Sequence, residues 1–144
     1  NLWYHTGDLA RLDEDGELLF VDRKKDVMRY KGRNIASVAV ESAARSPPGV
    51  HEAAAHGVPA KELVYEDEVK LCVVRVPGSG LTAEQLAAHI MEHAPYYLVP
   101  RYIEFRTELP RSPVGRVLKR ELRDEGVTSA TWDAETSGIT YQKR

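Results

Sequence analysis

Among 144 residues this chain has a single cysteine, Cys72. An internal disulfide is thereby excluded, a cysteine-based zinc site lacks a second thiolate, and a reducing cytoplasm is the expected compartment. No apolar run approaches the roughly 20 residues that span a bilayer, so membrane insertion is not expected. An excess of one charge is missing too: 20 Lys+Arg against 22 Asp+Glu leave a formal charge of −2. Nothing in that balance draws the whole molecule to nucleic acid or acidic lipid, and any basic site must be local. There is no internal repeat and no low-complexity segment. The chain starts at Asn1, and no charged-then-apolar leader precedes Leu2-Trp3-Tyr4, so the expectation is a piece of a larger protein without a secretory signal.

The composition, 42% hydrophobic and 29% charged, is that of a soluble domain able to bury a core. Residues 9–22 hold two short apolar runs around Asp15-Gly16 and predict a hairpin. In "VMRYKGRNI", Arg29, Lys31 and Arg33 alternate with Met28, Tyr30 and Gly32, the period of a strand or hairpin arm with one basic face. A helix is expected from Ser37, ended by Pro47-Pro48-Gly49. "VHEAAAHGVP" and "EVKLCVVRV" read as strands. Thr82 and Gln85 form a capping box, with Leu81 and Leu86 placed as a staple, for a helix over 82–94. "RYIEFR" predicts another strand and 117–125 a short amphipathic helix, while the segment from Thr128 onward has no clear period. Without an evident βαβ spacing, the fold class expected is α+β, a small antiparallel sheet with packed helices.

Several residue groups could carry chemistry. His89 and His93, four apart on one helix face, have a zinc-chelating spacing, but Glu92 is misplaced for a metalloprotease pattern, and a solvated face is the plainer reading; no metal site is predicted. Cys72 in an apolar strand reads as a buried, inert thiol. "YEDE" at 65–68 reads as a solvated loop in preference to a cation site. Lys24, Lys25, Arg29, Lys31 and Arg33 form a basic strip around one glycine, suited to phosphates or to keeping an edge strand soluble. Asp8, after Thr6-Gly7, could accept both hydroxyls of a ribose or cap its own turn.

"WYHTGDLARLDEDGELLFVDRKKDVMRYKGRNI", "HAPYYLVPRYIEF" and "LPRSPVGRVLKREL", in that order, resemble the carboxy-terminal part of the acyl-adenylate-forming superfamily. The resemblance covers about residues 2–125. Its nearest pattern is that of bacterial acyl-CoA synthetases similar to carnitine or crotonobetaine CoA ligases. It implies three segments: 1–23, a β-hairpin ending a large adenylating domain; 24–126, a small mobile lid domain; and 127–144, a tail. The implied reaction uses ATP, CoA and Mg2+, the last bound mainly by the large domain, to convert a carboxylic acid to an acyl-adenylate and then to a thioester, releasing pyrophosphate and AMP. The partners so implied are the chain's own large domain and these small molecules, without nucleic acid.

Residue by residue, the resemblance implies that Asp8 and Arg23 hold the AMP ribose and that Lys25 is the hinge about which the lid turns between half-reactions. Gly32 would lie beside the pantetheine arm of CoA, with Arg29, Lys31 and Arg33 facing CoA. Where the family carries a catalytic lysine, this chain has Arg116. Arginine keeps the charge but is bulkier and forked; Lys119, one helical turn on, is the rival candidate. Ala39 stands where relatives often carry an acidic residue, although Glu41 remains. The Ser/Thr/Gly-rich phosphate loop and the acyl pocket are absent from this sequence. A non-adenylating nucleotide- or partner-binding homologue, or an adenylation domain serving a carrier-protein thiol, are the alternatives.

Overall fold

The computed structural model describes residues 3–62 and 64–139. Asn1, Leu2 and 140–144, at the ends of the outer predicted segments, lie outside the described residues. Strands β1 (Asp8–Leu12) and β2 (Leu18–Arg23) form the expected antiparallel hairpin. Its turn is tied by the Asp13 carboxylate, which accepts the N–H groups of Asp15 at 3.1 Å and Glu17 at 2.8 Å. Most of this ribbon is open on both faces: Leu18 is 72% and Phe20 60% exposed on one and Leu19 37% on the other, while Asp22 is buried.

Strands β3 (Met28–Tyr30) and β4 (Arg33–Ile35) make a second hairpin around the two-residue tip Lys31-Gly32. Both tip residues have positive φ, 48° and 75°, the signature of a turn that matches the twist of its strands. This corrects the single basic face read from the sequence. Tyr30 pairs with Arg33 and Arg29 with Asn34; paired residues share a face, so Arg29 and Arg33 lie on opposite faces. A tight turn reverses the chain inside what looks like one alternating run.

Helix α1 (Ser37–Ala44) leads into β5 (Val50–Pro59), which pairs antiparallel with β6 (Asp67–Arg75). Helix α2 (Ala83–His93) and a 3-10 turn (Tyr96–Leu98) carry the chain back to β7 (Tyr102–Arg106), which runs parallel to β6. Helix α3 (Lys119–Glu125) and the short edge strand β8 (Trp132–Asp133), antiparallel to β7, complete a four-stranded sheet of order β5-β6-β7-β8. The α+β class therefore stands with a mixed sheet. The unit β6-α2-β7 is a crossover of the kind parallel strands require, contrary to the expectation that no such unit is present. The segment expected to be aperiodic supplies β8.

Strand β6 explains the layering. Val69, Leu71 and Val73 face a core shared with Val40 of α1 and Leu86 and Ile90 of α2. Cys72 and Val74 face the other side, with Ala54, Leu109 and Leu122 of α3. Buried on both faces, the central strand reads as a continuous apolar run broken only by Lys70. Its Nζ donates to Glu104 Oε2 at 2.7 Å and to the Gly126 carbonyl, and Glu104 Oε2 also accepts the hydroxyls of Thr128 and Thr131. This buried pair ties the segment after α3 to the sheet.

Candidate functional site

The loop between β7 and α3 is a small clamped hairpin. Arg111 bridges to Val117, Ser112 N–H donates to the Arg116 carbonyl at 2.8 Å, and Gly115 N–H donates to the Ser112 carbonyl at 2.9 Å. Gly115, at φ 83°, supplies the left-handed step that closes the turn. Arg111 then fixes the loop from outside, donating to the Gly115 carbonyl at 2.7 Å and pairing with Glu52 on β5. The pinned backbone displays Arg116, an exposed residue whose side chain has no hydrogen-bond or ion-pair partner among the described residues.

Arg116 lines an open cleft of about 420 Å³ together with Arg23, Lys25, Asp26, Lys119, Arg120 and Arg123. Most of these cations are committed. Arg123 pairs with Asp26 at 2.7 Å, Arg120 with Asp124 at 3.8 Å, and Arg23 with Asp8 at 3.0 Å. Lys119 donates to Ser37 Oγ at 2.6 Å and pairs with Glu41 at 2.6 Å. Ser37 in turn donates from both its hydroxyl and its N–H to Asp22 Oδ2, at 2.7 and 2.5 Å, and Glu41 accepts the Ala55 N–H at 3.0 Å. Lys119 is thus a brace joining α3 to α1, and through Ser37 to Asp22 near the end of β2. Asp22 and Ser37, buried polar residues at the centre of this network, carry no sequence signal beyond their polarity. Among the described residues, Arg116 and Lys25 remain the lining cations without a partner.

Asp8 and Arg23, distant in sequence, face each other across β1 and β2 as register partners. Thr6 Oγ1 accepts the Asp8 N–H at 3.2 Å, and Lys24 N–H donates to the Gly7 carbonyl at 2.7 Å. A neighbouring cleft of about 390 Å³ is lined by Thr6, Gly7, Arg23, Lys24 and Lys25, so Arg23 and Lys25 belong to both clefts. Asp8, Arg23, Lys25 and Arg116 are brought into one region.

The second hairpin stands apart. Lys31 lines a different cleft, of about 440 Å³, with Tyr30, Lys61, Glu68 and Arg101. Lys31 lies over the Tyr30 ring at 4.9 Å and Arg33 over Tyr97 at 5.3 Å. The acidic run 65–68, expected to be a solvated loop, is engaged instead. Glu66 accepts the N–H groups of Lys31 at 2.7 Å and Gly32 at 3.0 Å, Asp67 accepts that of Arg29 at 3.0 Å, and Glu68 pairs with Arg101 at 3.4 Å. These are contacts across more than thirty residues of sequence, which local patterning does not carry.

His89 and His93 stack at 4.2 Å, and His89 Nε2 is bonded to Ser46 Oγ at 2.7 Å. No group of three or more His, Cys, Asp or Glu is placed to hold a metal ion among the described residues. Burial pushes the Cys72 thiol up to about 11, which keeps it protonated and inert. No helix among the described residues is long and apolar enough to cross a membrane.

The family model of the AMP-binding enzyme C-terminal domain matches residues 39–116. A long-chain-fatty-acid–CoA ligase of Yersinia pestis is 45% identical over 132 residues, covering 92% of this chain and 23% of the relative. Among solved structures, ATP-bound MatB from Rhodopseudomonas palustris superposes with a TM-score of 0.77 at 32% identity, over 83% of this chain and 24% of that one. The o-succinylbenzoate CoA synthetase MenE from Bacillus subtilis, in complex with its acyl-adenylate intermediate, gives 0.76 at 31% identity, over 86% and 25%. The chain therefore spans about a quarter of the length of these relatives.

Proposed function

Because the chain belongs to the family of AMP-binding enzyme C-terminal domains, we infer that it is the closing part of an ATP-dependent carboxylic acid:CoA ligase. The observation that carries this reading is Arg116, a cation on a clamped loop that, like Lys25, has no partner among the described residues, opening on the cleft that also holds Arg23 and Lys25. In the first half-reaction a carboxylate oxygen attacks the α-phosphorus of ATP and pyrophosphate leaves. Two anions meet there, and a fixed guanidinium aimed at the developing charge lowers the barrier. Asp8 and Arg23, already juxtaposed at 3.0 Å, offer an acceptor and a donor to a ribose diol. In the second half-reaction a thiol sulfur attacks the acyl carbonyl and AMP leaves; Gly32, with Arg29, Lys31 and Arg33 around it, is assigned to the CoA side.

The position of Lys31 in a cleft separate from that of Arg116 supports a lid that presents different surfaces to the two steps, with Lys25 as hinge. Exposed, and unpaired among the described residues, Lys25 can change its backbone angles without breaking a core contact. Lys119, held by Ser37 and Glu41, is assigned to support the loop and not to touch substrate. The open faces of the β1-β2 ribbon support its assignment, as residues 1–23, to a large domain that also contributes the phosphate loop, the acid pocket and most Mg2+ ligands. Residues 24–126 are assigned to the lid and 127–144 to a tail. The relatives' names favour a long-chain acid as substrate, and the whole enzyme is assigned to the cytoplasm.

Arginine in place of the expected lysine is the one feature favouring a homologue that binds nucleotide without adenylating. ATP–pyrophosphate exchange by the full-length parent separates the two. With palmitate, octanoate and benzoate as probes, exchange should appear with at least one acid, fall about 100-fold in Arg116→Ala and survive in Arg116→Lys. Exchange untouched by Arg116→Ala would remove the assignment of that residue, and exchange with none of the acids would favour the binding-only reading.

A further inference from the structure

Lys31 stands in a left-handed conformation, φ 48°, that a long side chain rarely adopts and that persists only where the surroundings over-determine it. What over-determines it is visible. With Gly32 at φ 75°, the two successive N–H groups of the tip point the same way and form a small concavity for an anion. Glu66 fills it, giving one carboxylate oxygen to each N–H, 2.7 Å to Lys31 and 3.0 Å to Gly32. Asp67 adds a third tie, to the Arg29 N–H at 3.0 Å.

Room for this clasp is built into the sheet. A Cβ at Gly57, on β5, would lie 2.8 Å from Cγ of Asp67, so the absence of a side chain there lets the Asp67 carboxyl lean toward the hairpin. By contrast a Cβ at Gly32 would meet nothing within 4 Å. Gly32 is required by its backbone angles, and its N–H direction is set by Glu66 across 34 residues of sequence.

We propose that Glu66 is the positioning residue of the thioester-forming step: its carboxylate holds the Lys31-Gly32 tip in the one conformation that admits the thiol arm. The inference rests on the assignment of Gly32 to the CoA side. The clasp lies outside the Arg116 cleft, so adenylation does not depend on it. Glu66→Ala frees both N–H groups, whereas Glu66→Gln keeps one acceptor oxygen and turns an NH2 toward the other N–H.

The test separates the half-reactions in the full-length parent, with free CoA and whichever of palmitate, octanoate or benzoate supports exchange. In Glu66→Ala, kcat/KM for CoA should fall about tenfold or more while pyrophosphate exchange stays within about twofold of native, with Glu66→Gln in between. Melting curves of both variants identify any that fail to fold, and Gly57→Ala, which crowds Asp67, should lower CoA efficiency in the same direction. Unchanged CoA kinetics in Glu66→Ala would overturn the proposal, as would an equal fall of exchange and thioester formation, which marks a purely structural residue. Absence of exchange in the native parent is a different result, which overturns the ligase reading and this inference with it.

Discussion

At the scale of single residues, burial decides which charged groups this domain can use. His56 is fully buried on β5, and burial lowers its pKa from 6.5 to about 4 against the raising effect of its bond to the Gly57 carbonyl, with Lys70 lowering it further. The folded state therefore keeps it neutral while the unfolded chain takes up a proton, so stability is full above pH 6.5 and is lost as pH falls toward 4. In urea unfolding at about pH 7, 6, 5 and 4, the unfolding free energy of the native protein should fall steadily relative to that of His56→Leu over that window; a constant difference would mean that another group titrates. Glu104 acts lower down. Burial would raise its carboxyl, but hydrogen bonds from Lys70, Thr131 and Thr128 outweigh that and hold it at about 2, so its contribution is lost only as pH falls from 4.5 toward 2. Cys72 was legible from the sequence because an apolar strand buries whatever small residue it carries. Lys119 was not, because no local pattern shows that Ser37 and Glu41 wait on another helix.

At the scale of elements, the local signals that served best were those completed within one turn. The capping box forms as expected, with Thr82 N–H donating to Gln85 Oε1 at 3.0 Å and Gln85 N–H to Thr82 Oγ1 at 3.2 Å, because both partners lie within four residues. The β1-β2 hairpin was visible for the same reason. Pairing between distant elements was not: the parallel partner of β6 follows a helix and a 3-10 turn, and β8 is two residues long. The attachment of β8 and its flanks depends on Lys70 and Glu104, both almost fully buried. Lys70→Met should lower the unfolding free energy by about 3 kcal/mol, since it takes the buried cation from the Glu104 carboxylate and leaves it Arg106, at 3.4 Å on its other oxygen. Adding Glu104→Gln should restore part of the loss, measured by urea denaturation; a double variant no more stable than Lys70→Met would show that the charge pair is not the source of the effect.

At the scale of the whole molecule, the four residues around the Arg116 cleft cannot complete a reaction. Neither a phosphate loop nor an acid pocket is among them, and the purified 144-residue chain should form no acid-dependent AMP. Detectable AMP formation from palmitate and ATP by this chain alone would refute the division of labour assigned to it. The site follows the same rule as the fold. Asp8, Arg23, Lys25, Arg116 and Gly32 were singled out through ordered motifs; the register of the first hairpin and a clamped loop brought the first four together, while a second hairpin carries Gly32 elsewhere.

The sequence by itself determined the helices, the β1-β2 hairpin, the α+β class and the family, because each depends on residues close together or on ordered motifs along one line. Only the tertiary structure decided that the basic strip is split between two faces, that Lys119 is bound while Arg116 has no partner among the described residues, and that Glu66 grips the Lys31-Gly32 tip. The first is a tight turn hidden inside an alternating run; the others depend on hydrogen bonds and ion pairs between segments far apart in the chain, and such partners are chosen by packing, which no stretch of sequence contains.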